Sequence, residues 1–313
     1  MKEIGGFFEL SLGRKNDFHR NAISLNSARN CLKYLLQINT PSKVYVPAYC
    51  CNSLLEPILE EGLVYEFYHL DSNLEIIETL NVEDHERIIY INYFGLKREY
   101  IPKLVELFDC KLIVDNTQAF FEQPISGIDT FYSPRKFFGV SDGGYLYTAK
   151  HQEKPLEKDT SVDRISHVLS RLETGAAANY ALYQQAEANL TARPVRTMSA
   201  LTTELLANVD YESAALIRQR NYWVLHSELK SVVAASLTGK SDYVPMVYPL
   251  AIKNSNTKKE LIENKIYTAT YWLDAKSRVN PQELFFIDEV VYLPIDQRYT
   301  LQDMWRIVEV LHG

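Results

Sequence analysis

The residue whose chemistry stands out first is a lysine in an aromatic turn. Lys136 lies in FYSPRKFFGVSDGGYLYT (131–148), where two short apolar runs flank a segment with a proline and several glycines. If the surrounding rings removed water from the amine, more of it would be neutral and able to attack an aldehyde. Alternatively, the stem of the lysine could pack on the turn while its ammonium reaches water.

A carboxylate at the end of an apolar segment is the second candidate. Asp115 closes KLIVD (111–115), and a charge buried there needs a partner because an unpaired buried charge is costly. The partner could be a cationic ring nitrogen, as in enzymes that use pyridoxal 5'-phosphate (PLP). A helix cap or a salt bridge would satisfy the same carboxylate.

The start of the first predicted helix is a candidate phosphate site. The segment ISLNSAR places Ser27, Ala28 and Arg29 at that start. Free backbone N–H groups and a serine hydroxyl bind phosphate there, although a serine in this position often serves only as a cap. Ser133 adds a second hydroxyl three residues before Lys136, and the glycines that follow allow close backbone approach. With Asp115 and Lys136, these residues are the set that a PLP site requires.

Alternating strands and helices must position these residues. Because the predicted strands are too apolar for a sheet with one wet face, they indicate a mostly parallel sheet that helices cover on both sides. Ligands bind such sheets at the carboxyl ends of the strands. The predicted strands are 43–47, 64–70, 87–94, 111–115, 129–132 and 144–148, and the helices between them are 27–38, 54–62 and 98–108.

The character of the chain changes after about residue 150. A charged segment leads into an Ala-rich predicted helix around 174–190, and a long helical pattern runs from 199 to about 233. Further predicted elements are a strand at 244–252, a helix at 257–264, strand-like segments at 268–272 and 290–294, and a final helix at 301–311. The sequence therefore predicts a large α/β domain (1–200) and a smaller C-terminal α+β domain (201–313).

Composition narrows the class of protein. A net charge of −7 and an isoelectric point near 5.6 argue against a nucleic-acid-binding protein. No apolar run reaches the roughly 18 residues that a membrane span needs, and the N-terminus lacks the apolar stretch of a signal peptide. The four cysteines show no metal-site spacing. We expect a cytoplasmic protein with reduced thiols and no metal.

These motifs resemble a known family. The order of segments is similar to that of the DegT/StrS-type sugar aminotransferases, PLP enzymes of the aspartate-aminotransferase fold (fold type I). The similarity spans almost the whole chain, and the Asp-x-x-Gln and lysine motifs carry most of its specificity. The matching segments are NSARNCL (26–32), VYVPAYCCNSLLEPILEEGLVYEFYHLD (44–71), IIYINYFG (88–95), IVDNTQAFF (113–121), SPRKFFGVSDGG (133–144) and VYLPIDQRYTLQDMWRIVEVL (291–311).

The resemblance assigns roles to individual residues. Lys136 would bond to the cofactor aldehyde, Asp115 would pair with the ring nitrogen, and Gln118 would contact the phenolic oxygen. Ser27, the backbone of Ala28 and Arg29, and Ser133 would hold the phosphate. The implied reaction moves an amino group, with glutamate as donor, to a nucleotide-linked keto sugar for polysaccharide or glycoconjugate biosynthesis. The resemblance also implies a homodimer.

Some positions depart from the family pattern. Ala28 and Arg29 stand where the phosphate turn usually has Gly and Thr, and Arg29 could still serve by its charge. Cys51 stands near the position of an aromatic ring that stacks on the cofactor, and the partner subunit's Asn-Tyr-Arg segment has no clean match. Three alternatives therefore stay open: a PLP-dependent sugar dehydratase or lyase, a non-catalytic regulatory or scaffold protein of the PLP fold, and an α/β binding protein in which Lys136 is structural.

Overall fold

The main sheet has seven strands in a mixed arrangement. The computed structural model describes residues 10, 12–13, 16–229, 237–252 and 256–312. The strands are β1 (Ile23–Leu25), β2 (Lys43–Pro47), β3 (Val64–Tyr68), β4 (Glu86–Ile91), β5 (Leu112–Asp115), β6 (Asp129–Tyr132) and β7 (Gly144–Tyr147). Their spatial order is β1-β7-β6-β5-β4-β2-β3, and only β7 runs antiparallel, to both β1 and β6. All six predicted strands are confirmed, whereas β1 was not predicted.

Burial explains why these segments form the sheet. Every residue of β4 and β5 is buried, as an apolar strand covered on both faces requires. The connecting helices are α1 (Ala28–Asn39), α2 (Asn52–Glu60) and α3 (Ile101–Phe108), which bury apolar faces at helical spacing. The predicted α/β class with a large, mostly parallel sheet is confirmed. The parallel strands all end at one edge, and Asp115 lies on that edge.

The remaining elements form helices and a second, smaller sheet. They are α4 (Ser166–Thr174), α5 (Tyr180–Ala188), α6 (Ala200–Leu206), α7 (Tyr211–Leu229), β8 (Val247–Ala251), α8 (Thr257–Glu263), α9 (Pro281–Asp288), β9 (Val290–Pro294) and α10 (Leu301–His312). Strands β8 and β9 pair antiparallel. The domain boundary near residue 200 stays a prediction. None of the helices in the described ranges is long and apolar enough to cross a membrane.

Neither of the two long predicted helices forms over its whole predicted range. The Ala-rich helix expected at 174–190 begins only at Tyr180, because Gly175, at a φ of +83°, ends the preceding helix α4, which was not predicted. The helix expected over 199–233 divides into α6 and α7, because Asp210 accepts a hydrogen bond from the N–H of Ser213 and starts a new helix. Its last predicted residues, 230–233, lie outside the described residues.

Two smaller differences arise in the C-terminal part. The strand-like segment 268–272 forms no strand; it contributes one isolated pairing, between Ala269 and Tyr292. Helix α9 was not predicted, although Asn280 and Glu283 form a reciprocal capping box around its first turn. That Asn-Pro-x-Glu pattern is a recognisable helix start.

A buried histidine makes the stability of this fold sensitive to acid. The His19 ring donates from Nε2 to the carbonyl oxygen of Phe120 (2.8 Å), and its Nδ1 lies 3.1 Å from the Tyr147 hydroxyl, which can donate to it. Burial lowers the pKa of His19 to about 4. The ring is therefore neutral in the folded protein at pH values where an unfolded histidine is already charged.

We predict a loss of stability between pH 6.5 and pH 4 that depends on His19. The folded-state pKa lies below the unfolded value, so the unfolded chain binds the proton first and the free energy of unfolding falls as the pH drops. From pH 7 to pH 4, wild type should lose about 3 kcal/mol more than His19→Gln. Urea unfolding at both pH values measures this difference, and equal losses in the two proteins would contradict it.

Candidate active site

A cleft collects most of the residues that the sequence singles out. It has a volume of about 130 Å³ and is lined by Ser27, Ala28, Arg29, Asp115, Ser133 and Lys136, together with residues that the sequence reasoning did not select. These six predicted residues come from the start of α1, the end of β5 and the turn after β6. The segments are brought together because parallel strands end at the same edge of the sheet.

Asp115 is a buried carboxylate at the floor of the cleft. Its Oδ1 accepts a hydrogen bond of 2.8 Å from the N–H of Thr117. Burial raises the pKa of Asp115, while the positive charge of Lys136 and the hydrogen bonds from Thr117 oppose that rise. A second cation close to this carboxylate would stabilise its charged form.

Lys136 opens into the cleft instead of being buried by its aromatic neighbours. Of the two alternatives for Lys136, the structure has the amine that reaches water, because Phe131, Tyr132 and Phe137 are buried while Lys136 is exposed. The turn Pro134–Lys136 separates the lysine from the rings on either side. Its Nζ donates a hydrogen bond of 2.9 Å to Oγ1 of Thr117.

Thr117 is a site residue that the sequence reasoning missed. Its backbone N–H binds Asp115 and its hydroxyl binds Lys136, so one residue contacts both principal groups of the cleft. The signal was available, since Thr117 is the second residue after Asp115 in DNTQ. Only the fold shows that Lys136, 19 positions later, lies within reach of its hydroxyl.

Gln118 is fully buried and is not part of the cleft wall. Its Oε1 accepts a hydrogen bond of 3.0 Å from the N–H of Phe94. Its Nε2 has no hydrogen-bond partner among the described residues. A buried amide donor without an acceptor costs free energy, which makes Gln118 a candidate for contact with a bound group.

The start of α1 lines the cleft with Ser27, Ala28 and Arg29. Ser27 is the N-cap, and its Oγ accepts a hydrogen bond of 3.1 Å from the N–H of Asn30. The guanidinium of Arg29 donates to Ser53 Oγ (2.7 Å) and lies 3.0 Å from the Glu56 carboxylate. Glu56 therefore partly neutralises Arg29, and the backbone N–H groups are the freer anion donors.

The glycines after Lys136 allow β7 to touch the start of α1, and this close backbone approach was predicted. A Cβ at Gly144 would lie 2.5 Å from the carbonyl carbon of Ser27 and 2.7 Å from Sγ of Cys31. Gly143, at a φ of +116°, donates its N–H to the carbonyl oxygen of Asn26. Glycine at 144 thus determines where the start of α1 sits relative to the lysine turn.

We predict that Gly144→Ala destabilises the protein by about 2–4 kcal/mol, because the added methyl group collides with backbone that cannot rotate away. Gly13→Ala is the matched control, since a Cβ there meets no atom of the described residues within 4 Å. Thermal and urea unfolding of both variants measure the effect. A stable Gly144→Ala protein would show that this contact is not a constraint.

Asp142 anchors the other side of the lysine turn. This fully buried carboxylate accepts hydrogen bonds from the backbone and hydroxyl of Ser199 (3.0 and 2.8 Å) and from the Thr202 hydroxyl. These contacts bind the turn to the first residues of α6. The acidic residue of the Asp-Gly-Gly segment therefore has a structural partner 57 positions away.

Cys51 lines the cleft, and Phe131 is the aromatic residue among the described residues that line it. Burial raises the pKa of its thiol, so the thiol is neutral at physiological pH. Tyr49, the nearby aromatic side chain, is fully buried and stacks on Tyr93 at a ring-centroid distance of 5.6 Å. A ring bound in this cleft would contact the sulfur of Cys51 where the resemblance predicts a stacked aromatic ring.

An ion pair closes the cleft on the side of α5. Arg135 and Glu187 both line the cavity and contact each other, and Nε of Arg135 is buried without a hydrogen-bond partner in the described part of the chain. Glu187 was not predicted, and no local pattern could have found it because 52 positions separate the two residues. Among the described residues, no group of histidine, cysteine and acidic side chains could hold a metal ion.

Solved structures share the fold of this chain. The chain is similar to the sugar aminotransferase CalS13 from Micromonospora echinospora, with 15% identity, 93% of this chain and 86% of that chain covered, and a TM-score of 0.65. Two further solved structures also share the fold of this chain. They are Spr1654 from Streptococcus pneumoniae in its PLP form (14% identity, 93% and 86% covered, TM-score 0.64) and NtdA from Bacillus subtilis with bound PMP (14%, 93% and 72%, 0.64).

The similarity lies in the fold and not in extended sequence. No family model matches the chain, and no curated protein matches it. The fold expected from the resemblance to the sugar aminotransferases is nevertheless confirmed by these structures, which align over nearly the whole chain. The individual site residues stay predictions.

Proposed function

We propose that this protein is a PLP-dependent aminotransferase that transfers an amino group from glutamate to a nucleotide-linked keto sugar, in polysaccharide or glycoconjugate biosynthesis. One observation carries the proposal. Lys136 and Asp115 line the same cleft and are joined through Thr117, at the strand ends where this fold binds ligands. The structural neighbours that have this fold are sugar aminotransferases.

The residues present fit the cofactor at each of its ends. Asp115, buried and short of a second cationic partner, would pair with the ring nitrogen. The N–H groups of Ala28 and Arg29, with the hydroxyls of Ser27 and Ser133, would hold the phosphate. Gln118 does not line the cleft, but its buried Nε2 has no hydrogen-bond partner among the described residues, and by the resemblance it would donate to the phenolic oxygen.

In this proposal Lys136 is the general acid and base that moves the proton. When bound, PLP draws electrons away from the carbon that loses a proton, which allows an amino group to move between two carbon skeletons. The exposed Nζ of Lys136 can reach a substrate in the cleft, and it can remove and return the proton. The hydroxyl of Thr117 holds the amine on the side of Asp115.

We further propose that the protein acts as a cytoplasmic homodimer. The start of α1 is the main anion-binding feature of the cleft in one chain, and a second copy could complete it. Exposed apolar side chains on α4, at Leu169 and Leu172, are the kind of surface that a subunit contact covers. The four cysteines are free, which suits a reducing compartment.

Transfer of labelled nitrogen tests the proposed reaction. Purified protein with PLP receives glutamate labelled with heavy nitrogen and a panel of nucleotide-linked keto sugars, and mass spectrometry follows the label. Label in an amino sugar supports the proposal. Loss of water from the sugar without nitrogen uptake would instead indicate a dehydratase, and bound PLP without any turnover would indicate a regulatory or scaffold protein.

A further inference from the structure

A second cavity lies beside the cleft. It is a groove of about 710 Å³, bounded on one side by α4 and α5 and on the other by the C-terminal part of the chain, from the end of α8 to the start of α10. It is several times larger than the cleft around Lys136. None of the roles discussed so far uses this groove, which is far too large to be a packing defect.

The charges in the groove favour an anionic ligand. Four basic side chains line it: Arg171, Lys265, Arg298 and Arg306. Arg298 is neutralised by a two-pronged pair with Asp296 (2.7 and 2.8 Å). Arg171 and Lys265 have no carboxylate partner among the described residues. These two cations are therefore available to bind phosphate oxygens.

The single acidic residue in the groove wall, Asp303, offsets only one of the four positive charges there. The Asp303 carboxylate accepts hydrogen bonds of 2.8 Å from the N–H and from the hydroxyl of Thr300. It therefore caps the start of α10, and those bonds lower its pKa. The groove as a whole keeps a positive balance that suits a diphosphate.

Aromatic rings line the same groove and are open to solvent. Tyr180, Tyr183 and Tyr267 are 60%, 45% and 52% exposed, which is unusual for large rings in a concave site. Exposed tyrosine rings offer flat faces on which any nucleobase can stack. Cations and open rings in one cavity match the two chemical parts of a nucleotide.

Helix α5 connects the groove to the cleft. Tyr180, Tyr183 and Glu187 stand at i, i+3 and i+7, which places them on one face of the helix. The first two line the groove and the third lines the cleft next to Arg135. Along the axis, Tyr180 and Glu187 are about 10 Å apart. A ligand of nucleotide-sugar length could therefore lie along α5 and reach Lys136.

We propose that this groove binds the nucleoside diphosphate part of the substrate. The base stacks on the rings of Tyr180, Tyr183 and Tyr267, the phosphates bind Arg171 and Lys265, and the sugar extends along α5 into the cleft. This assignment rests on the proposed function, because that function supplies the sugar-linked ligand. It adds the location and the residues that recognise the nucleotide.

Direct binding of nucleotides tests the groove without any turnover. Titration calorimetry with UDP, dTDP and GDP, and with inorganic pyrophosphate as the probe without a base, measures the dissociation constants. At least one nucleotide should bind more tightly than pyrophosphate. The double variant Arg171→Ala/Lys265→Ala should weaken the binding of that nucleotide by about tenfold or more. Tyr183→Ala should weaken the binding of the nucleotide but not that of pyrophosphate.

Matched variants separate this proposal from the proposed function. Lys259→Ala removes a cation from α8 whose side chain is 75% exposed and lies outside the groove, so it should leave nucleotide binding unchanged. Lys136→Ala should also bind the nucleotide as wild type does, even though it cannot bond to the cofactor. Circular dichroism and thermal unfolding confirm that each variant is folded. Arg171→Lys should recover part of the nucleotide affinity that is lost with alanine at this position.

Two results would overturn the groove assignment. One is the absence of binding of all three nucleotides at millimolar concentration. The other is binding that the groove variants do not change, which would place the nucleotide elsewhere. If the nucleotide binds as expected and PLP does not, the groove stands and the aminotransferase proposal fails on its own.

Discussion

Replacing Lys136 by alanine should abolish covalent attachment of PLP and reduce amino transfer by at least about 10³-fold. The reason is geometric, since Lys136 is the lysine whose Nζ lies within the cleft, 2.9 Å from Thr117 and on the side of Asp115. Absorbance spectra with PLP and single-turnover rates with glutamate measure the two effects.

Charge alone should not restore the function. Lys136→Arg keeps the positive charge next to Asp115, but its guanidinium stays protonated and does not bond to the cofactor aldehyde. It should therefore be as inactive as the alanine variant. Lys97→Arg is the control for substitution of a lysine elsewhere, because Lys97 pairs with Glu75 and does not line the cleft. Full activity in Lys136→Ala would exclude the assigned role.

Replacing Asp115 by asparagine should slow amino transfer on the order of 10²-fold while PLP still binds to the lysine. An amide cannot hold the ring nitrogen in its protonated form as a carboxylate does. The Oδ1 of asparagine can still accept the 2.8 Å hydrogen bond from Thr117, so the local backbone is kept. Rates with glutamate, compared at saturating PLP, test this effect.

The same substitution should stabilise the protein without cofactor at neutral pH. Burial raises the pKa of Asp115, so the folded state holds its proton more tightly than the unfolded chain, and stability falls as the pH rises through that range. Asparagine removes this cost, and its advantage should disappear at low pH, where Asp115 is protonated in both states. An Asp115→Asn protein that is both fully active and less stable would contradict this account.

The parts of the site that depend on short segments could be predicted. Asp115 at the end of β5, the cap at Ser27 and the close approach of Gly144 each follow from a few adjacent residues. Strand apolarity determined the six predicted strands for the same reason. Strand β1 escaped prediction because it has only three residues and gains its pairing from β7, which is far away in the sequence.

The parts that depend on tertiary contact could not be predicted. The sequence left two alternatives for Lys136, and only the course of the turn Pro134–Lys136 after β6 shows that the lysine is exposed. Glu187 reaches the cleft from α5, 52 positions after Arg135 in the sequence. The start of α5 was also missed, because the alanine content suggests a helix from residue 174. Alanine favours helix at every position, whereas one glycine at positive φ decides where the helix stops.

The most direct test of the central claim is to find where PLP bonds. Wild-type protein is incubated with PLP, reduced with borohydride, digested and mapped by mass spectrometry. The account predicts one cofactor adduct at Lys136, at full occupancy and absent from Lys136→Ala. No adduct, or an adduct spread over surface lysines in both proteins, would contradict the assignment of this cleft as a PLP site.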